Sequence, residues 1–355
     1  MPVWFPEPAK NDPTWKKDGQ TEFDWICTST LPRAKAAREF LNFNLNCLPI
    51  INQLELYQKL KTQWLSTFFE IIVGRTLQVI GSTVSLEQEI PSGRKPDFHA
   101  TFGNQTIIVE AVSPQFHSAE IREQTTGADR LKPFIEKHTP EGYTVFLHQL
   151  PNITGSTSLK IHKKILFNLL SGEILDEGES WKLTKETDYG SYELTLIRNQ
   201  GGLPVIGGGP GATYYSQAVK YIQNALKGKK SQVKGSSHPR ILAINGNFQC
   251  TPSDVDQALF GQKLEHANRE IEFIANGKFG KPSDSPPSFE GVLFFEEVGF
   301  SCPREPILYN NPQSTRSLPK EFENFRQRIL VNSQEIKELE PKTLKLMAAL
   351  NPVTL

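Results

Sequence analysis

At 355 residues the chain has room for one large domain or two small ones, with ample core. With 37% hydrophobic and 22% charged residues it reads as globular, which excludes a disordered chain. Lys+Arg and Asp+Glu both number 39, so no global field steers an anionic partner, and any nucleic acid must be met by a local basic patch.

The N-terminal stretch MPVWFPEPAKNDP lacks the basic and apolar regions of a signal peptide. No apolar run approaches the ~20 residues that span a bilayer. The cysteines, Cys27, Cys47, Cys250 and Cys302, lie far apart with no C-x-x-C pair, so neither a zinc site nor a disulfide framework is expected. Together these features read as a cytoplasmic protein with reduced thiols.

In chain order, residues 1–33 are rich in Pro, Trp and charge and read as an irregular arm. Helices are predicted over Ala34–Asn46 and Gln53–Ile80, separated by Pro49; the second carries Tyr57, Leu60, Trp64, Phe68, Ile71 and Ile72 at helical spacing, and Gly81 ends it. Strands are predicted at Val84–Ile90, Asp97–Phe102 and Thr106–Ser113. Mixed structure follows: a polar helix near Ala119–Lys137, a strand at Tyr143–His148, a helix at Leu159–Leu170 and a hairpin from Trp181–Glu186 and Tyr192–Arg198. After a Gly-rich loop, Gly201 to Gly211, come a helix over Thr213–Lys230, an apolar strand at Arg240–Asn245, helix over 253–275 interrupted at Gly261, and strands at Gly291–Glu296 and Ile307–Tyr309. The tail, 318–350, reads as two helices. Alternating strands and helices give an α/β class, and no internal repeat is visible.

The segment GRKPDFHATFGNQTIIVEAVSP, Gly93–Pro114, contains a hairpin signal. Gly103 and Asn104 form a Gly-X turn, favoured because Gly accepts positive φ. That turn fixes the register: Thr101 faces Thr106, His99 faces Ile108 and Asp97 faces Glu110, with both acids on one face. Phe98, Ala100, Phe102, Ile107, Val109 and Ala111 then form the opposite, core-facing side. Opposed carboxylates repel, and a divalent cation such as Mg²⁺, which favours carboxylates plus water and phosphate oxygens, relieves this. The competing reading is a solvated hairpin end. Glu70, in the apolar run FFEIIV of the long helix, is a third candidate acid, because charge is rare on a buried helix face unless paired or metal-bound. Its bland alternative is an exposed helix face.

A helix bearing Glu70, then Pro96-Asp97-Phe98, a hairpin and Val109-Glu110-Ala111 resembles the PD-(D/E)xK nuclease superfamily. More narrowly, the chain is similar to bacterial proteins with a restriction-endonuclease-like core, through those segments together with Ala225–Lys229, Ile241–Asn245, Ala258–Gly261 and Leu308–Pro312, over roughly residues 50–320. The resemblance implies a mixed sheet flanked by helices, with an α+β insertion and helical N- and C-terminal extensions. The expected layout is an arm and helix (1–50), a first half of the core (51–114), the insertion (115–211), the second half of the core (212–312) and a helical tail (313–355). It further implies a Mg²⁺- or Mn²⁺-dependent endonuclease acting on DNA, or secondarily RNA, with Asp97, Glu110 and Glu70 around the metal.

One departure stands out: Val112 occupies the place where that superfamily usually has lysine. In some members another element supplies it. On the predicted 213–230 helix the apolar stripe Tyr215, Ala218, Val219, Ile222, Ala225, Leu226 continues to Lys229, four residues past Ala225, whereas Lys220 and Lys227 point away. Lys229 is therefore the first candidate for the missing cation and Lys230 the second; ordinary helix C-terminal chemistry is the competing explanation. Phosphodiester hydrolysis needs an activated water and relief of developing charge, which a metal on Asp97 and Glu110 and a nearby ammonium would provide.

Other signals are weaker. Gly207-Gly208-Gly209-Pro210-Gly211 lacks the Gly-Lys-Ser/Thr of a phosphate-binding loop and reads as a linker. Lys227, Lys229, Lys230, Lys234, His238 and Arg240 form the densest basic cluster and suit a phosphate backbone. His99 shares the face of Asp97. Two readings compete with the nuclease: an inactive nuclease-like module binding nucleic acid or a protein partner, favoured by Val112 and the neutral net charge, and a structural subunit using the 1–50 and 313–355 arms as contacts.

Overall fold

The computed structural model describes residues 2–14, 16, 20–114, 130–131, 134–135, 137–140, 143–151, 159–171, 180–198, 206–207, 218–247, 249–265, 271–280, 287–298, 304–332, 335–342 and 347–350. The chain forms two compact units. One comprises Met1–Lys16, Gln20–Phe116 and Ser216–Leu355; the other comprises Lys17–Gly19 and His117–Tyr215.

The larger unit opens with helices α1 (Glu22–Thr28), α2 (Pro32–Cys47), α3 (Ile50–Thr62) and α4 (Trp64–Val79). The expected irregular arm thus contains a helix, capped by Thr21, whose hydroxyl accepts from the Asp24 N–H. The single long helix expected over Gln53–Ile80 is two, broken at Gln63, whose φ of −131° and ψ of 50° leave the helical region. α4 buries Phe68, Phe69, Ile71, Ile72, Val73 and Leu77. At about 1.5–3 kcal/mol per buried side chain, that packing outweighs the few tenths of a kcal/mol by which its β-branched residues disfavour helix.

Strands β1 (Thr83–Leu86), β2 (Phe98–Phe102) and β3 (Gln105–Val112) follow. β2 and β3 form the hairpin, with Thr101 opposite Thr106, His99 opposite Ile108 and Phe98 opposite Val109. Gly103 sits in the turn at φ 56°. The remaining elements of this unit are α6 (Ala218–Lys229), β8 (Arg240–Asn245), α7 (Pro252–Leu259), β9 (Gln262–Glu265), β10 (Ile271–Ile274), β11 (Gly291–Phe295), β12 (Ile307–Asn310), β13 (Arg326–Val331) and β14 (Glu335–Leu339).

One eight-stranded sheet runs β1-β2-β3-β8-β11-β12-β13-β14. β3, β8 and β11 are mutually parallel, while β1 with β2, β2 with β3, β11 with β12 and β13 with β14 are antiparallel. Strand alternation splits the core into two layers. Ile241, Ala243, Leu293 and Phe295 pack with Phe69, Ile72 and Leu77 of α4 and with Phe98, Ala100, Phe102, Ile107, Val109 and Ala111 of the hairpin. Leu242, Ile244, Val292, Phe294 and Ile108 pack with Ile222 and Leu226 of α6 and Val255 and Leu259 of α7. The sheet is therefore α/β and mixed, with helices on both faces, as the α/β expectation required.

Two expectations fail here. The helix over 253–275 stops at Leu259, and Gly261, at φ 136°, turns the chain into the β9–β10 hairpin. The helical tail is mainly strand: after a 3₁₀ turn at Lys320–Asn324, β13 pairs in parallel with β12 and β14 closes the sheet edge, before a second 3₁₀ turn at Met347–Leu350. Its Arg, Glu and Lys residues suggest helix, but cross-strand ion pairs use them: Arg326 and Arg328 reach Glu338 at 3.3 and 2.9 Å.

The smaller unit carries β4 (Tyr143–Gln149), α5 (Leu159–Leu170), β5 (Ser180–Thr187), β6 (Gly190–Arg198) and β7 (Ile206–Gly207), in a four-stranded sheet ordered β5-β6-β4-β7. Leu166 and Leu170 pack with Val145, Leu147, Tyr192, Leu194 and Leu196. Most of the predicted Ala119–Lys137 helix, the glycine-rich run 208–211 and residues 213–217 of the predicted helix lie outside the described residues.

Candidate active site

β3 is an inner strand between β2 and β8, and its residue Glu110 is paired in register with Leu242. Even-numbered positions of β3 face the α6 layer, so Glu110 points the way Ile108 does and is fully buried. Asp97 immediately precedes β2. Its Oδ2 accepts the Ala111 N–H at 2.7 Å, which continues the hairpin beyond its last paired residues and fixes the carboxylate beside Glu110.

Lys229 ends α6. Its Nζ donates to Glu110 Oε2 at 2.7 Å and lies 3.5 Å from Asp97 Oδ2. The helix places it there through Ala218, Ile222 and Leu226, which are buried in the core and set the helix rotation. Lys220, Lys227 and Lys230 are exposed. Val112, where the resemblance leads one to expect lysine, is an apolar residue packed against the α6 layer.

The electrostatics are those of a crowded anionic pocket. Burial pushes the Glu110 carboxyl upward, the neighbouring Asp97 adds to the rise, and Lys229 opposes it. Burial works against the Lys229 ammonium, but the Asp97 and Glu110 charges outweigh it and hold its pKa above the ordinary lysine value. With both carboxyls ionised, two carboxylates facing one ammonium would carry a formal charge of about −1, and burial and Asp97 push Glu110 towards its neutral form to avoid it. Glu110 Oε1 is buried without a hydrogen-bond partner. An orphaned carboxylate oxygen and a surplus of negative charge are what a divalent cation with oxygen preference would satisfy.

Glu70 arrives from α4, on the opposite layer of the sheet. It is half-buried between the fully buried Phe69 and Ile71. Burial first, then the Asp97 charge, raises its carboxyl to about 7, with Lys59 and Lys229 pulling the other way. It therefore feels the site electrostatically. Among the described residues no three His, Cys, Asp or Glu side chains gather as a metal-binding group. His99 is half-buried, its Nε2 has no hydrogen-bond partner, and burial followed by the neighbouring His238 lowers its pKa.

Glu70 gives a stability test. Its folded pKa lies above the unfolded one, so the folded state holds the extra proton between about 4.5 and about 7; the group costs nothing below that window and destabilises above it. Glu70→Gln is therefore expected to match wild type near pH 4 and to be more stable by about 2–3 kcal/mol at pH 8 in EDTA. Urea unfolding at both pH values measures this; an equal or lower stability at pH 8 would place Glu70 in solvent.

Sequence reasoning missed the tie between Asp97 and the Ala111 N–H, and the loop contacts around the site. A backbone hydrogen bond to a side chain beyond the ladder carries no letter signal. Comparison with family models, with curated proteins and with solved structures finds no match to this chain.

Proposed function

We propose that the chain is a metal-dependent nuclease hydrolysing phosphodiester bonds in DNA. The observation that carries this reading is the placement of Lys229 against both Asp97 and Glu110, at 3.5 and 2.7 Å, from a helix remote in sequence. Asp97 and Glu110 would hold Mg²⁺ or Mn²⁺. Such an ion lowers the pKa of bound water and polarises a phosphate oxygen.

The chain's own residues have separable roles. The Ala111 N–H holds the Asp97 carboxylate in one orientation, so little reorganisation is needed when substrate arrives. The Lys229 ammonium, held against the two carboxylates, would offset charge developing on the phosphate oxygens and orient the attacking water. Glu70, with a carboxyl raised towards neutrality, suits the holding of a proton through an intervening water.

A second reading is favoured by the same ion pair. Lys229 neutralises part of the carboxylate charge without any metal, as it would in an inactive module that keeps the core to bind nucleic acid or a protein. Cleavage of plasmid and single-stranded DNA with Mg²⁺ or Mn²⁺ separates the two. Wild type is expected to cut, and Asp97→Asn, folded by circular dichroism, to lose at least about 10²-fold in rate. Absence of cutting by wild type with either ion would move the conclusion to the binding module.

A further inference from the structure

We infer that the carboxylate pair is entered across a cationic rim that holds the DNA sugar–phosphate backbone, so that duplex binds without a metal and without sequence preference. The inference rests on the nuclease reading for what the bound strand is presented to, but its evidence is separate.

The chain from Ser216 to Ser253 carries no Asp or Glu, while it carries Lys220, Lys227, Lys229, Lys230, Lys234 and Arg240. At the average acid content of the chain, a stretch of that length would hold about four acids, so the polarity is local and strong although the whole molecule is neutral. This stretch contains α6, whose last residue reaches the carboxylates, and the loop that follows.

A second loop, between β1 and β2, meets the first. Ile90 is buried in the same core layer as Val233 and Leu226. A Cβ on Gly235 would lie 3.2 Å from the Ser92 Cβ, so the two loops touch. Arg94 and Lys95 follow Ser92 and lead directly into Pro96 and Asp97; both are exposed, as are Lys230 and Lys234 on the facing loop. Of the acids on this second loop, both exposed, Glu87 is paired with Lys59 at 2.5 Å, which leaves the Glu89 charge to set against Arg94 and Lys95.

The rim is also held still. Arg316 donates to the carbonyls of Ser236, Ser237 and His238 and is itself anchored on the fully buried Glu290 at 2.5 Å. Glu290 also accepts from the Arg240 backbone N–H and lies 3.4 Å from its guanidinium. A polar cluster that fixes a surface loop from beneath gives its lysines defined positions, which lowers the entropic cost of binding. Point charges on lysine read phosphates, which are common to every sequence, and not base edges.

The test is fluorescence anisotropy with two short duplexes of unrelated sequence, in EDTA, from about 50 to about 200 mM salt. Wild type is expected to bind both within about threefold, with a log–log salt slope of about −3 to −4 for four phosphate contacts. Lys95→Glu/Lys234→Glu is expected to weaken binding at least about tenfold and to shrink the slope by about 2. Asp97→Asn, which removes an anion, is expected to bind at least as tightly as wild type. Equal binding by the charge-reversed variant, strong preference between the duplexes, or no binding by wild type in EDTA would overturn the inference. Cleavage with Mg²⁺ but no binding in EDTA would sink the rim and leave the nuclease; binding in EDTA with no cleavage under any ion would sink the nuclease and leave the rim.

Discussion

On the nuclease reading, Lys229→Met is expected to cut DNA cleavage by about 10²–10³-fold, and it is expected to destabilise the fold, with a pH-dependent part that grows only above about 8, where the wild-type Glu110 carboxyl gives up its proton. Removing one partner of a buried ion pair costs about 3–5 kcal/mol. Lys229 keeps 21% of its side chain exposed, whereas Glu110 keeps none, so the lower end, about 3 kcal/mol, applies. Burial and Asp97 keep the Glu110 carboxyl protonated up to about pH 8 even beside the ammonium, and without it the proton is held to higher pH still. Holding that proton costs little near pH 4.5, where the unfolded carboxyl is also half-protonated, and more as pH rises. Glu110→Gln in the same background removes that buried carboxyl and is expected to restore most of the stability but none of the activity. Lys220→Met, exposed on the same helix, is the control. Urea unfolding in EDTA below and well above pH 8, with cleavage rates measured beside it, decides the matter. Full cleavage by Lys229→Met would reject the helix as source of the cation.

Gly261→Ala is expected to destabilise the larger unit by about 3 kcal/mol or more, the sum of a left-handed backbone strain and an overpacked contact. Gly261 has φ 136°, and a Cβ there would lie 2.0 Å from the Ile274 carbonyl oxygen and 2.8 Å from the Asn276 nitrogen. Neither is a side chain that can swing away. The contact belongs to the termination of α7. The N–H groups of Lys278, Gly280 and Gly277 donate to the carbonyls of Ala258, Leu259 and Phe260, satisfying acceptors that a helix end leaves open. Pushing the strand away would expose those carbonyls and loosen Val255, Ala258 and Leu259 from the core. Gly228→Ala has the opposite sign. It lies inside α6 with nothing within 4 Å of an added Cβ, so a gain of about 0.4–1 kcal/mol is expected. Thermal unfolding of the two variants beside wild type measures the difference; a Gly261→Ala protein melting with wild type would rule out the interleaved backbones.

The site was legible in sequence where local rules act alone. The Gly103-Asn104 turn carries its own φ requirement, so the hairpin register followed from it, and parity put Asp97 and Glu110 on one side. The stripe through Ala218, Ile222 and Leu226 likewise pointed Lys229 inward. What escaped depends on neighbours. The break at Gln63 has no Gly or Pro to announce it. The Arg326–Val331 and Glu335–Leu339 segments become strands because β12 offers an open edge and Glu338 meets two arginines across the sheet, and tertiary pairing overrides helix propensity. Glu70 stands out in FFEIIV by its charge, whereas its raised carboxyl depends on burial and on Asp97, which its own helix does not announce.

The reach of Lys229 to Glu110 spans 119 residues of sequence. During synthesis both acids leave the ribosome first, and at about 5–20 residues per second the ammonium follows on the order of 10 s later. Until then β8 and α6 do not exist, and Glu110 has neither its neighbouring strand nor its cation. A nascent chain, or a fragment ending before α6, carries the acids on their hairpin, where the Ala111 N–H holds Asp97, but without the cation. The charge balance of the pair is thus completed late, when α6 delivers Lys229 to two acids made more than a hundred residues earlier.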